Sequence, residues 1–335
     1  MNVMVLGSGA WGTALSLLLL ENGHRVSLWS YEQRESDVLK TTGENPMLPG
    51  VPLPPELNLT ADFTALPEAD MIVLATPSFA VRTTVHQIAG IVEPGTVIVS
   101  VSKGLERGSS MRLSQVIEEE LQETCPVVIL SGPSHAEEVG RRIPTAVVTA
   151  SKSREAAELA QDAFMNERFR VYSSPDVIGV EISAALKNVI ALCAGALHGM
   201  GQGMGDNTVA MLMTRGLTEI ARLGEVLGAR KETFAGLAGM GDLIVTCTSM
   251  HSRNNRCGIL IGQGVPVKDA MKQIGAVVEG YYAAAAAMEM AEKYHVDMPI
   301  TQGAYRVLYE GASPQSVVVQ LMGRSKKAEI EESWV

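Results

Sequence analysis

Three glycines near the N-terminus place the strongest constraint on how this 335-residue chain can fold. Gly7, Gly9 and Gly12 follow the apolar run 3–6 and precede the leucine-rich run 15–20, which predicts a strand, a tight turn and a helix. In such a turn the first glycine permits the bend, the second admits a phosphate, and the third lets the helix pack closely. The positive end of the helix then faces the anion. The segment predicts a pyrophosphate-binding site, with a glycine-rich turn that binds no ligand as the alternative.

Short β-branched runs alternate with helix-length segments through the first half of the chain, as in a parallel sheet with crossover helices. After about residue 175 such runs nearly vanish, apart from 243–246, and helical patterns dominate. The sequence therefore predicts an α/β fold, with an N-terminal Rossmann-type nucleotide-binding domain at 1–178 and an all-α domain at 179–335. The predicted strands are 3–6, 26–29, 71–75, 96–101, 127–130, 146–149 and 169–172. The predicted helices of the second half are 176–198, 207–228, 253–263, 267–274, 279–295, 300–310 and 314–321.

Composition narrows the class of protein. With 46% hydrophobic and 19% charged residues, the chain can bury enough apolar surface to offset its conformational entropy, which excludes a disordered protein. The formal charge of −10 argues against general nucleic-acid binding, so an anionic ligand must meet a local cluster of positive charge.

Cysteine spacing and the N-terminus bear on the compartment. Cys125, Cys193, Cys247 and Cys257 have neither metal-ligand nor disulfide-framework spacing, which predicts a reducing compartment and no metal site. The N-terminus lacks a basic signal region, and the longest aliphatic run, 17–20, is far too short to span a bilayer. We expect a cytoplasmic protein without membrane insertion.

The end of the second predicted strand bears on which dinucleotide binds. An acidic residue normally follows this strand and holds the ribose 2′-hydroxyl of NAD. Here no carboxylate lies between the start of the strand and Glu32, and Arg34 lies close enough to meet a 2′-phosphate. The pattern slightly favours NADP over NAD, while an ordinary solvent-exposed role for Arg34 is an equal alternative.

A lysine interrupts an otherwise apolar helical segment. Within 182–197 the polar side chains are Ser183, Lys187 and Asn188, and positions 183 and 187 share one helix face. A single lysine in such a helix usually extends its ammonium group to solvent. If the helix instead packs against the nucleotide domain, desolvation would lower the pKa of Lys187 into the range useful for acid–base catalysis. Both alternatives are open at the level of sequence.

The segment 249–256 has the features of a phosphate-binding helix start. Ser252 is a candidate N-cap, with Arg253 and Asn254 in the first helical turn. Arginines are disfavoured at a helix N-terminus, so Arg253 and Arg256 there indicate a bound anion that restores the balance. A loop with ordinary surface arginines is the alternative.

Three further fragments follow predicted strands, where doubly wound folds bind ligands: 75–78, 102–106 and 131–136. Lys103, a charged residue directly after an apolar strand, is a candidate ligand-binding residue. His135 alone is typical of a loop residue with local hydrogen-bond partners, and the histidines form no pair at metal-ligand spacing.

Together these residues resemble the bacterial NAD(P)-dependent glycerol-3-phosphate dehydrogenase family over essentially the whole chain. The resemblance implies a helical domain similar to that of 6-phosphogluconate dehydrogenase, reversible reduction of dihydroxyacetone phosphate to sn-glycerol 3-phosphate for phospholipid synthesis, and a homodimer. The segments that carry it are GSGAWGTALS at 7–16, SKGLE at 102–106, SGPSHAEEV at 131–139, LKNVIAL at 186–192, GDL at 241–243, SRNNRCG at 252–258 and VVEG at 277–280.

The resemblance also implies roles for individual residues. Lys187 would donate or accept the proton, with Lys103 beside it and Asp242 setting its charge and position. The implied substrate-binding residues are Lys103, Gly132, Ser134, Lys187, Asp242, Ser252, Arg253 and Asn254. With the motif glycines, the cofactor-binding set is Gly7, Gly9, Ala10, Trp11, Gly12, Tyr31, Lys103, Ala136, Arg253, Val277 and Glu279. Two features depart from the family pattern, namely Ala10, where many relatives carry serine, and the glycine-rich segment 199–206.

Two other functions are compatible with the sequence. Hydroxyacid dehydrogenases and ketopantoate-type reductases also join a Rossmann domain to a helical one, but their substrates carry a carboxylate instead of a phosphate. A regulator that senses NAD(P)H without turnover is the second alternative. The polar group around Lys187 argues against it, because a sensor needs no buried proton donor, although fold alone does not exclude it.

Overall fold

The structure, a computed structural model, describes residues 1–201 and 204–329. Gln202 and Gly203 of the glycine-rich segment therefore lie outside the described residues. The strands are β1 (Asn2–Leu6), β2 (Arg25–Trp29), β3 (Asn58–Thr60), β4 (Met71–Leu74), β5 (Val97–Ser100), β6 (Val127–Ser131), β7 (Thr145–Ser151) and β8 (Phe169–Ser174). The helices among them are α1 (Ala10–Glu21), α2 (Gln33–Thr42), α3 (Val81–Ile88), α4 (Leu113–Glu120), α5 (Ala136–Gly140) and α6 (Arg154–Phe164).

The helical part follows β8. Its helices are α7 (Val177–Gly199), α8 (Asp206–Val226), α9 (Lys231–Ala235), α10 (Asp242–Thr248), α11 (Arg253–Gly262), α12 (Val267–Ile274), α13 (Glu279–Tyr294), α14 (Pro299–Tyr309) and α15 (Pro314–Met322). The seven helices predicted for this part agree with the observed bounds to within two residues. The proposed domain boundary after residue 178 falls in the first turn of α7.

The strands form one sheet in the order β3-β2-β1-β4-β5-β6-β7-β8. β1 pairs in parallel with β2 on one side and with β4 on the other. β2 and β3 therefore extend to one edge of the sheet and the later strands to the other, and this switch lies beside the glycine turn. The sequence predicts a parallel sheet, and this prediction is wrong for one pair of strands, because β7 runs antiparallel to β6. The five-residue α5 between them is too short to carry the chain back along the sheet, as a parallel connection requires. The three-residue β3 was not predicted.

Residues 243–246 are also helical, contrary to the strand-like pattern of the sequence. They lie in α10, directly after a turn of π-helix at Leu237–Gly241. Leu243 and Cys247, four positions apart, are both buried in the core that α7 shares. Tertiary packing of this face outweighs the β preference of the β-branched residues.

The long helix α7 is the centre of the helical part. It is apolar and long enough to cross a membrane, but 89% of its most apolar window is buried inside the protein, as in a core helix. α11 packs against it backbone to backbone, because a Cβ at Gly195 would overlap the carbonyl oxygen of Asn255, and one at Gly258 would overlap that of Leu192. This close packing fixes the start of α11, and hence Ser252, relative to the middle of α7.

A buried ion pair joins α7 to the sheet domain and yields a stability prediction. Glu181 on α7 accepts hydrogen bonds from Arg112 Nη1 at 2.6 Å, the Ser114 backbone N–H at 2.8 Å and the Ser114 hydroxyl at 2.5 Å. Glu181→Ala leaves the charge of the largely buried Arg112 without a carboxylate partner, so we expect the free energy of unfolding to fall by about 3 kcal/mol. Urea denaturation followed by circular dichroism measures this. Glu158→Ala, which breaks an exposed pair with Arg154, should cost less than about 1 kcal/mol; an equally small loss for Glu181→Ala would contradict the prediction.

Candidate active site

The glycine turn has the shape that a pyrophosphate requires. Gly7 has φ of +120°, and a Cβ there would lie 2.8 Å from the Ala75 carbonyl oxygen, while one at Gly12 would overlap the Gly7 carbonyl. A Cβ at Gly9 would meet no described atom within 4 Å, so the backbone there is open. α1 begins at Ala10, and no described side chain caps its N-terminus. Free N–H groups beside an open backbone fit the pyrophosphate of NAD or NADP.

Aromatic side chains lie at the end of β2, the position that normally holds the ribose of the dinucleotide. Tyr31 is 71% exposed and contacts Trp29 edge to face, with 6.1 Å between the ring centroids. Phe63, which sequence reasoning missed, stacks on Trp29, with 5.1 Å between the ring centroids. Arg34 is exposed in the first turn of α2, where it can meet a 2′-phosphate. The predicted cofactor residue Trp11 is half-buried, and its Nε1 is enclosed without a hydrogen-bond partner in the described part of the chain.

The helical part reaches the sheet domain at Glu279. The Ser78 hydroxyl donates to the Glu279 carboxylate, with oxygen–oxygen distances of 2.8 and 2.9 Å. A Cβ at Gly104 would lie 2.8 Å from Ser78 Cβ and 3.1 Å from Glu279 Oε2. Burial raises the pKa of Glu279 despite its bond to Ser78. The predicted cofactor residues Glu279 and Val277 thus lie near the ends of β4 and β5.

Two lysines share one buried carboxylate where the helical part meets the sheet domain. Lys187 Nζ lies 2.5 Å from Asp242 Oδ1 and 2.8 Å from Thr246 Oγ1. Lys103 Nζ lies 2.9 Å from Asp242 Oδ2 and 3.0 Å from the Gly132 carbonyl oxygen. Lys187 is 5% exposed and Asp242 is 1% exposed. The alternative prediction, that Lys187 extends its ammonium group into solvent, is therefore wrong. Thr246, which sequence reasoning did not identify, completes the coordination of Lys187.

Burial sets the protonation of this cluster. Desolvation lowers the pKa of Lys187 to about 8, assisted by the charge of Lys103, while Asp242 acts in the opposite direction. The pKa of Asp242 is lowered because the attraction of both lysines outweighs the effect of its burial. One carboxylate between two ammonium groups leaves net positive charge, which stabilises negative charge on a reacting oxygen. Near neutral pH, Lys187 can therefore donate a proton and accept one back.

The start of α11 offers an anion site beside this cluster. Ser252 is the N-cap, as predicted, because its Oγ accepts a hydrogen bond from the Asn255 backbone N–H at 3.2 Å. The Ser252 hydroxyl proton remains available to donate. Arg253 is exposed, and its guanidinium makes no hydrogen bond or ion pair with the residues that the structure describes. A free arginine at a helix N-terminus fits a phosphate group.

Asn254, predicted to bind substrate, uses its side chain to join three helices. Its Nδ2 donates to Asn188 Oδ1 at 2.9 Å, and its Oδ1 accepts from the Gly280 backbone N–H at 2.8 Å. These bonds hold α11 against α7 and α13. Asn254 can therefore offer a substrate its backbone N–H and the second N–H of its Nδ2, since only one Nδ2 hydrogen is used in these bonds.

The loop after β6 completes the cleft. Gly132 has φ of +143°, and a Cβ there would lie 2.9 Å from Val147 Cα. The Ser134 hydroxyl donates to the Gly132 carbonyl oxygen at 2.9 Å, and Ala136 begins α5. His135, expected to have local partners, has its Nε2 enclosed with no hydrogen-bond partner among residues 1–201 and 204–329.

Comparison with known proteins identifies the family. The models for the N-terminus and C-terminus of NAD-dependent glycerol-3-phosphate dehydrogenase match residues 2–157 and 176–319. A glycerol-3-phosphate dehydrogenase [NAD(P)+] from Desulfitobacterium hafniense is 52% identical over 98% of this chain and 93% of its own length. A crystal structure of a glycerol-3-phosphate dehydrogenase from Coxiella burnetii superposes with a TM-score of 0.91 at 39% identity, covering 96% of this chain and 99% of that one. The chain belongs to the NAD-dependent glycerol-3-phosphate dehydrogenase family.

Proposed function

We propose that this protein catalyses the reversible reduction of dihydroxyacetone phosphate by NADH or NADPH to sn-glycerol 3-phosphate. The observation that carries the proposal is the buried cluster of Lys187, Asp242 and Lys103, which lies between the strand ends of the nucleotide domain and the anion site at Ser252 and Arg253. The family's NAD(P) specificity agrees with the open glycine turn. The position of Arg34 slightly favours NADP.

Lys187 is the proposed proton donor. When bound, the reduced nicotinamide supplies the hydride to the carbonyl carbon. Lys187 Nζ gives a proton to the carbonyl oxygen as negative charge grows there, and the positive charge of Lys103 stabilises that oxygen further. Asp242 holds both ammonium groups in place. In the oxidative direction the neutral amine of Lys187 accepts the proton of the 2-hydroxyl group.

The anion site at the start of α11 would hold the phosphate. Arg253 and the Ser252 hydroxyl would donate to it, together with the first backbone N–H groups of the helix. Because α11 packs backbone to backbone on α7, the phosphate and Lys187 are held at a fixed separation. Binding energy from the phosphate then orients the carbonyl for reaction.

The assembly and location of the enzyme are part of the same proposal. We expect a cytoplasmic homodimer that does not insert into membranes or bind nucleic acid, and whose product enters phospholipid synthesis. The support comes from the family resemblance, the formal charge of −10 and the burial of α7. Size-exclusion chromatography with light scattering tests the dimer.

The proposed reaction is tested by oxidation of NADH and NADPH in the presence of dihydroxyacetone phosphate, with ketopantoate and a 3-keto acid as controls. Turnover with only the phosphate ester supports the proposal, and the ratio of the two cofactors tests the role of Arg34. Turnover with only a carboxylate substrate would replace the proposal with the hydroxyacid alternative. Cofactor binding without turnover of any substrate would favour a sensor.

The pKa of Lys187 predicts opposite pH dependences for the two directions. Reduction needs the protonated amine, so kcat/KM for dihydroxyacetone phosphate should fall about tenfold per pH unit above about 8. Oxidation needs the neutral amine, so kcat/KM for glycerol 3-phosphate should fall as the pH drops below about 8. Initial rates in both directions across this range measure the effect. If kcat/KM changes in the same direction with pH for both reactions, Lys187 does not transfer the proton.

A further inference from the structure

A short hairpin after β5 carries several contacts between the sheet domain and the helical part. Leu105 and Arg112 pair across an isolated antiparallel bridge. Between them, the Glu106 backbone N–H donates to the Met111 carbonyl oxygen at 2.9 Å. These contacts close residues 105–112 into one compact unit, which we call the bridging hairpin.

The base of the bridging hairpin lies in the core of the helical part. Leu105 is 5% exposed and belongs to the same buried apolar cluster as residues of α7, α10 and α13. Lys103, two residues earlier in the chain, reaches Asp242 on α10. Two extended residues span only about 7 Å, and a packed interior yields little, so the buried Leu105 side chain limits how far the backbone at Lys103 can move.

The tip of the bridging hairpin lies against one face of α13. The Arg107 guanidinium covers the ring of Tyr282, with 3.4 Å from Cζ to the ring centroid, and lies 5.0 Å from the ring of Phe79 in the sheet domain. The Ser110 hydroxyl donates to Glu289 Oε2 at 2.7 Å. Tyr282 and Glu289 are two helical turns apart, so both contacts lie on the same face of α13.

The backbone of the tip has a conformation that serine rarely adopts. Ser110 has φ of +56°, in the left-handed region. Such a conformation costs free energy and persists only where the surrounding contacts fix it. Here those contacts are the closed backbone of the hairpin and the hydrogen bond to Glu289.

The sheet domain holds the bridging hairpin from the other side. Arg82 on α3 pairs with the Glu106 carboxylate at 2.6 Å, and the Ser109 hydroxyl donates to the same carboxylate at 2.5 Å. The hairpin is therefore fixed to both domains, next to the lysine that joins them at Asp242.

We propose that the bridging hairpin positions Lys103 for the reaction, with Leu105 and Arg107 as the positioning residues. Both act at a distance from the substrate. By anchoring the hairpin to the helical part, which also carries Lys187, they hold the Lys103 ammonium group against Asp242 across the domain boundary. This inference rests on the proposed function, in which the charge of Lys103 stabilises the carbonyl oxygen.

Arg107→Met tests the tip, because it removes the cation but keeps most of the side-chain volume. Arg107 is exposed, so the variant should fold, and kcat for dihydroxyacetone phosphate should fall about 3- to 10-fold. Arg107→Lys, which keeps a cation near Tyr282, should recover part of the loss. Arg170→Met is the matched control, since it removes an exposed cation from the ring of Tyr172 in β8 and should leave kcat unchanged.

Leu105→Ala tests the base. A shift of Lys103 by about 1 Å should lower kcat about 10- to 100-fold. Leu308→Ala in α14 is the matched control, because Leu308 is 6% exposed and belongs to the same apolar cluster. Both variants should lower the melting temperature to a similar extent, but only Leu105→Ala should lower kcat at a temperature where both are folded.

The same variants in a Lys103→Met background show whether the bridging hairpin acts through Lys103. There, Arg107→Met and Leu105→Ala should change kcat by less than about twofold, because the group that they position is absent. A purely structural role would reduce kcat equally in both backgrounds and would overturn the inference. Unchanged kcat in Arg107→Met and Leu105→Ala, or in Lys103→Met itself, would also overturn it.

The proposed function is tested separately, by whether the wild type reduces dihydroxyacetone phosphate. If it reduces another carbonyl substrate instead, the proposed function fails, and the same set of variants is measured with that substrate. The inference then still stands or falls on whether the effects of the bridging hairpin depend on Lys103. Absence of turnover with every substrate would overturn both claims.

Discussion

Lys187→Ala is expected to lower kcat for dihydroxyacetone phosphate reduction about 10²- to 10⁴-fold, with NAD(P)H binding retained. The variant removes the group that protonates the carbonyl oxygen and one of the two positive charges at Asp242. The cofactor cradle at the glycine turn is formed by other residues and stays intact. Steady-state rates give kcat, and fluorescence titration with NADH gives the dissociation constant.

A matched lysine controls for the general effect of removing a charge. Lys152 is largely exposed and pairs with Glu118, so Lys152→Ala should leave kcat unchanged. Lys187→Met adds a second test, because it keeps most of the side-chain volume and should lose as much activity as Lys187→Ala. A near-normal kcat in either Lys187 variant would show that another group transfers the proton.

Arg253→Ala is expected to raise the KM for dihydroxyacetone phosphate about 30- to 150-fold, with a smaller change in kcat. The guanidinium is free of described partners and lies in the first turn of α11, where it would form charge-assisted hydrogen bonds to the phosphate. Loss of such bonds costs about 2 to 3 kcal/mol. Initial rates over a wide substrate range separate KM from kcat.

Inhibition by inorganic phosphate provides an independent readout for the same site. Phosphate should compete with dihydroxyacetone phosphate in the wild type and much less in Arg253→Ala. Arg154→Ala, at an exposed surface pair, should behave as wild type. An unchanged KM in Arg253→Ala would place the phosphate elsewhere, with Arg256 as the next candidate.

Features set by local sequence could be predicted. The glycine turn, seven of the strands and the long helices of the second half follow from residue periodicity and from glycine's backbone freedom, which act over a few residues. Ser252 was predicted as an N-cap for the same reason, since its hydrogen bond to Asn255 spans only three positions.

Features set by distant contacts could not be predicted in this way. The burial of Lys187 depends on Asp242, 55 positions away, and Asp242 in turn binds Lys103 across 139 positions. Local pattern alone favoured a solvent-exposed lysine there. Likewise, the strand-like run in α10 is helical because of its packing against α7, and the amide of Asn254 is taken up by Asn188 on another helix.

The family resemblance indicates what periodicity does not, because it assigns Lys187, Asp242 and Lys103 to one site although no local pattern connects them. It did not indicate the second partner of Lys187, Thr246, or the unpaired nitrogen of His135. Both depend on contacts between side chains that are far apart in the sequence.

The stoichiometry of the reaction tests the proposed activity most directly. Wild-type protein is incubated with dihydroxyacetone phosphate and NADH or NADPH, and the product is assayed with an enantiospecific method. One sn-glycerol 3-phosphate should form for each reduced cofactor consumed. Cofactor oxidation without this product, or formation of the opposite enantiomer, would contradict it.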